Sequence, residues 1–228
     1  MTANGELRAV DRGLWVKEEA LRVGGLQLGA RMTVVQLSSG DLVLLSPVSH
    51  SDALARELER IGPVRFVVCP NLRHHLFAAT WLEAHPDARL SGPAGLRRKA
   101  PALGIRADLE EPPPADWAAD LAVLPVQGFA TFDEFVFVHR PTRTLVVADL
   151  VMNFQSARGV TRLYLRANRA LGHPSHTVLH RIFFRDRAAV RRSVEAILET
   201  DFDRLVVAHG EIVETGAKAA LREAFSWV

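Results

Sequence analysis

The sequence predicts an α/β fold of two β-rich halves, each trailing helices, arranged as two packed sheets with helices on the outside. Three observations carry that expectation. Two hairpins, at residues 32–47 and 132–148, occupy corresponding places in the two halves. Two short apolar runs, Phe66-Val67-Val68 and the RLVVA of residues 204–208, read as strands buried on both faces. A third apolar strand, residues 144–148, ends like these two beside a polar residue.

Taken in order, residues 14–23 read as a strand closed by Gly24-Gly25. The next two strands, 32–39 and 41–47, pair across a Ser-Ser-Gly-Asp turn, and Pro47 closes the second. Ser51-Asp52 offers an N-cap, Ala53, Leu54, Leu58 and Ile61 form an apolar stripe, and Gly62-Pro63 ends that helix. The strand at Phe66 must stop by Pro70, which cannot donate to a sheet ladder. From His74, the residues Leu76, Phe77, Ala79 and Thr80 predict a helix whose first turn carries His74 and His75. A strand over 88–91 and a short helix over 94–100 follow, and Glu110 to Ala115 is a rigid turn or surface excursion.

Strands over 121–126, 132–139 and 144–148 build the second hairpin, with Asp149 at its exit. Leu163, Leu165, Ala167 and Leu171 fit a helix that His173-Pro174 would break. Residues 186–200 form an amphipathic helix through Ala189, Val190, Val194 and Ile197, and 216–227 a closing helix.

With 228 residues, 48% hydrophobic and 24% charged, the expectation is one domain over residues 1–228. The single cysteine, Cys69, excludes an internal disulfide and reads as core packing. Residues 2–5 are polar, unlike a leader, so the expected location is the cytoplasm. No apolar run approaches the roughly 20 residues of a membrane span. A net charge of +2, with basic clusters explained as solvated faces, gives no indication of a nucleic-acid partner.

The candidate chemistry lies where apolar strands end in polar residues: Cys69 before His74-His75, Ala148 before Asp149, and Ala208 before His209. Imidazoles and a carboxylate gathered at the carboxyl ends of strands suit zinc or a similar borderline-soft ion. Taken singly, each could instead be a hydrogen-bonded cap. His173, His176 and His180 would share a face if residues 175–181 were helical, as an extra ligand, a substrate contact or a surface feature. His50, His85 and His139 read as solvent or turn residues, and Phe77 and Trp81 as core.

The order of hairpin, helix, strand, histidine loop, second hairpin ending LVVAD and then LVVAHGE resembles the metallo-β-lactamase superfamily, above all its uncharacterised members with PNxxHH and AHGE motifs. The resemblance implies an αββα four-layer sandwich. Its usual His-x-His-x-Asp-His loop would end on His74-His75, with Asp149 as the bridging aspartate and His209 as the last histidine. Pro70, Leu72 and Phe129 would then replace the first-site histidines and should converge into an apolar wall beside His75 and His209. What remains is a second site of His74, His75, Asp149 and His209 for one zinc or similar divalent ion at most. His74 would be a fourth ligand or proton-transfer partner, and His74 and Asp149 the residues of catalysis. The resemblance implies a mononuclear metal-dependent hydrolase acting on an unidentified small molecule. The alternative is a binding or structural protein that has kept the fold and lost catalysis.

Overall fold

The computed structural model describes residues 6–129 and 131–228; the polar opening at 2–5, which bears on the leader, lies outside them. The chain begins with β1 (Arg8–Asp11) and β2 (Leu14–Glu19), then a small hairpin of β3 (Arg22–Val23) and β4 (Leu26–Gln27) that replaces the second half of the expected first strand. Next come β5 (Ala30–Gln36), β6 (Leu42–Leu45), α1 (Asp52–Glu59), β7 (Val64–Val68), α2 (Ala78–Ala84), β8 (Arg89–Gly92), α3 (Ala94–Lys99) and β9 (Ala107–Asp108). The second half holds β10 (Leu121–Val126), β11 (Glu134–His139), β12 (Thr144–Val147), α4 (Gly159–Ala167), α5 (Arg187–Glu199), β13 (Arg204–Val207) and α6 (Ala217–Ala224).

One sheet runs β1-β2-β5-β6-β7-β8-β9 and the other β10-β11-β12-β13. Each half repeats one device, an antiparallel hairpin whose second strand continues into a parallel neighbour: β5/β6 then β7, and β11/β12 then β13. Because side chains alternate across a strand, one sequence serves two cores. Val35, Val43, Leu45, Phe66 and Val68 of the first sheet meet Phe135, Phe137, Val146 and Val206 of the second in a shared inner layer. The intervening residues Val34, Leu42, Leu44 and Val67 pack under α1 to α3 with Leu54, Leu58, Trp81 and Leu96. On the far side Val136, Val138, Leu145 and Leu205 pack with Val190, Val194 and Ile197 of α5 and Leu221 of α6. These are the four layers αββα. Cys69 is fully buried, and burial pushes its thiol up to about 12, in keeping with a packing role.

Several local expectations are corrected. The helix after β7 starts at Ala78, so His74 and His75 lie in the turns before it. His139 is buried within β11 with Nδ1 2.7 Å from Thr142 Oγ1, and His50 and His85 pack on Trp81 with ring centroids at 4.9 and 5.7 Å. Pro125 stands inside β10, a position a proline tolerates because β10 is an edge strand. Residues 175–181 are not an α-helix: a 3-10 segment covers Val178–Phe183, and the three histidines disperse. His173 is exposed, His180 reaches the cleft described below, and His176 is buried among Phe184, Phe225 and Trp227. Among the described residues no helix is long and apolar enough to cross a membrane.

Neither ring nitrogen of His176 has a hydrogen-bond partner, and burial, reinforced by Arg181, pushes its pKa from 6.5 to about 3. Folding therefore excludes a proton that the unfolded chain takes up below pH 6.5, so this group makes stability fall as pH drops from 6.5 towards 3. At about pH 5 the loss is about 2 kcal/mol. His176→Phe should keep the aromatic packing and move the acid-unfolding midpoint, followed by circular dichroism, to lower pH. A midpoint unchanged or moved upward counts against this account.

Candidate metal centre

Four polar positions follow the carboxyl ends of β6, β7, β12 and β13, all on one rim of the sandwich: Ser46, the loop Asn71 to His75, Asp149 and His209. The strands are committed by burial up to that rim, and the chain is free to carry polar side chains only where the ladders end.

The loop after β7 is shaped by Asn71, which is fully buried. Its Oδ1 accepts the amides of Arg73 (2.8 Å) and His74 (2.9 Å), a side-chain turn that holds these residues out of the helix that follows. Its Nδ2 donates to Asp149 Oδ2 at 2.8 Å and to Glu134 Oε2 at 2.9 Å, so a single amide bridges two buried carboxylates. Glu134 accepts the backbone amides of Ala148 (3.0 Å), Asp149 (3.0 Å) and Leu150 (2.9 Å), which fixes the turn where Asp149 leaves β12. Burial and then the neighbouring Asp149 push the Glu134 carboxyl up to about 7.

His209 is oriented from the opposite sheet. Its Nδ1 donates to the Gly29 carbonyl at 2.7 Å, a bond that requires the proton on Nδ1 and turns Nε2 towards Asp149 Oδ1 at 3.5 Å. Arg31 enters the same corner, donating to the carbonyls of Val207 and Gly210 and pairing with Glu18 at 2.7 Å. Gly210 has a φ of +101°, and a Cβ there would overlap the Asn153 carbonyl, which explains the glycine after His209. His74 completes the arrangement, with Nδ1 hydrogen-bonded to Ser46 Oγ and Nε2 3.3 Å from Asp149 Oδ2.

The ligand atoms of His74, Asp149 and His209 all lie within 4.8 Å of one another. In a tetrahedral zinc site neighbouring donors stand about 3.3 Å apart, close to the two separations that Asp149 makes. Burial opposes charge on Asp149, but His74 and His209 outweigh it and hold the carboxyl well below the usual carboxylate range. Burial likewise opposes charge on His209, and the carboxylate outweighs it and raises the imidazole. A corner that draws a proton onto a buried imidazole also draws a cation, and the donor set fits a possible His/Asp metal site.

Of the four residues read from the sequence as ligands, the structure brings together His74, Asp149 and His209. His75 stands outside that set, on the wall of the same cleft. The cleft encloses about 570 Å³ and is walled by Leu21, Leu28, Phe77, Phe132, Met152 and Phe183. Pro70, Leu72 and Phe129 do not form that wall, which corrects the expected convergence. The Pro70 carbonyl accepts the amide of Phe135 and the Leu72 amide donates to the Phe132 carbonyl, each at 2.8 Å, which commits that loop to the start of β11 and the residues before it. Phe129 is drawn into a stack between Phe132 and Phe184, both with ring centroids at 4.2 Å.

Residues 12–168 match the model of the family described as a domain of unknown function, DUF4336. The chain belongs to that family. Among solved structures, the metallo-β-lactamase FIM-1 from Pseudomonas aeruginosa in its mono-zinc form is 15% identical, over 97% of this chain and 91% of that one, with a TM-score of 0.61. DIM-1 metallo-β-lactamase exposed to ceftazidime is 17% identical over 99% and 97%, with a TM-score of 0.65. The enzyme from Hirschia baltica is 14% identical over 97% and 94%, with a TM-score of 0.61. This DUF4336 chain thus has the metallo-β-lactamase fold. No curated protein matches it in sequence.

Asn71 and Glu134 were not identified as site residues from the sequence, although a carboxylate at the head of an apolar strand was the available signal. Asn71→Ala should remove one donor from each carboxylate, each of which keeps another, and release the His74 turn. The expected loss is about 1.5–3 kcal/mol for each hydrogen bond to a carboxylate, read as a lowered unfolding midpoint in urea. An unchanged midpoint would show that the amide bridge carries no stability.

Proposed function

We propose that this protein is a mononuclear metal-dependent hydrolase of the metallo-β-lactamase fold, with His74, Asp149 and His209 holding one zinc or similar divalent ion. The observation that carries the reading is the incomplete donor set: three side chains converge at the floor of a cleft, and three protein ligands with an open position are the pattern of catalytic rather than structural zinc sites. A single metal has a parallel in the fold, since FIM-1 is described in a mono-zinc form. Such an ion polarises a carbonyl or phosphoryl oxygen and lowers the pKa of water.

The chain supplies the rest. Gly29 and Ser46 fix the ring orientations of His209 and His74, and Asn71 and Glu134 hold Asp149 against them. The apolar walls exclude water from a space of a size that takes a small molecule. His180, its pKa lowered mainly by burial, lines the cleft as a neutral imidazole.

The test is zinc content of the purified, dialysed chain. Asp149→Ala and His209→Ala should reduce it from about one ion per chain to near none, while His75→Ala and the exposed His173→Ala retain it. Equal retention in all four variants would overturn the ligand assignment. Stoichiometric zinc without hydrolysis of any ester, thioester, lactone or phosphodiester would leave a metal-binding protein and remove the hydrolase.

A further inference from the structure

The cleft above the three candidate ligands carries two cations from different elements, Arg73 in the loop after β7 and Lys99 at the end of α3. Some surface arginines are paired with acids, as Arg97 is with Asp108 at 2.8 Å, Arg143 with Asp201 at 2.9 Å and Arg204 with Asp11 and Glu214 at 2.8 and 3.0 Å, while others carry their charge into solvent; Arg73 and Lys99 differ from these in lining a cleft. Arg73 and Lys99 have no carboxylate partner among the described residues. Each is instead tethered to the cleft's own frame. The Arg73 guanidinium lies 5.1 Å from the centroid of Phe132, and Lys99 Nζ donates to the Leu72 carbonyl at 2.5 Å. Among the described residues the only carboxylate lining the cleft is Asp149, which His74 and His209 already engage.

Two like charges held on one rim repel each other, and partial burial together with Arg73 lowers the Lys99 ammonium. An unpaired pair of this kind gains when an anion settles against it, and a divalent ion held by His74, Asp149 and His209 would deepen the same positive potential. The opposite requirement comes from the walls, where Leu21, Leu28, Phe77, Met152 and Phe183 favour apolar surface.

We infer that Arg73 and Lys99 form an anion-binding rim, and that the substrate of this site is an amphipathic acid whose carboxylate or phosphate meets the rim while its apolar body lies against the aromatic wall. The substrate role rests on the hydrolase reading given above; the rim itself does not.

The test titrates the full chain as purified with three probes that share a phenyl body: phenylbutyrate, phenyl phosphate and the neutral phenylbutanol. At least one acid should bind about tenfold tighter than the alcohol, and raising salt from about 0.05 to 0.5 M should weaken the acid and spare the alcohol. Arg73→Gln and Lys99→Gln should each weaken acid binding about fivefold, and the double variant should erase the preference without changing the affinity for phenylbutanol or the unfolding midpoint. A preference for one acid alone names the anion as carboxylate or phosphate. No binding by either acid, equal binding of acid and alcohol, or a preference that survives in the double variant would overturn the rim. Zinc content of the same preparations separates the two readings. Bound zinc with no acid preference removes the rim and leaves the metal site, and acid preference without zinc does the reverse.

Discussion

Two buried carboxylates share one amide, and the rim of the sandwich is organised around that contact. Asn71 sits between Glu134 and Asp149, donating to both while its oxygen shapes the loop that carries His74. Burying carboxylates costs several kcal/mol per ion unless hydrogen bonds and counter-charges offset it. The two acids are served differently. Glu134 receives backbone amides and the Asn71 amide, with no cation paired to it among the described residues, and its proton affinity rises. Asp149 receives two imidazoles, and its proton affinity falls. The first acid acts as a fastening for the strand end, and the second is left as a negative charge aimed at the cleft.

The candidate ligands are spread widely along the chain. No local segment places two imidazoles against one carboxylate here; His74, Asp149 and His209 arrive on separate strand ends, and the two sheets bring those ends to one edge. The parallel pairs β6/β7 and β12/β13 matter for this reason, since parallel neighbours end on the same side.

Much of this was legible in the amino-acid order. Strands Phe66 to Val68 and 204–208 are apolar enough to be placed from pattern alone, and the polar residues just beyond them stand out because a buried strand would not choose them. The loop conformation was not legible, because Leu76, Phe77 and Ala79 mimic helical periodicity up to His74, whereas the turn depends on one asparagine side chain. Register in that loop failed for a related reason: the backbone of Pro70 and Leu72 is bonded to Phe135 and Phe132 of the second half, and pairing across the sheets is invisible to local spacing. His139 and His176 read as surface residues or candidate ligands because histidine is usually wet; the structure accommodates both as neutral, buried rings.

Arg31 and Gly29 stand near the start of the chain, yet they hold the corner of His209 across separations of 176 to 180 residues. Closing contacts of such span costs loop entropy that local contacts do not. The first half by itself contains His74 and the second contains Asp149 and His209, so neither is a site alone. Ligand binding at this corner would therefore report that both sheets have docked, and an ion taken up there would stabilise only the completed chain by mass action.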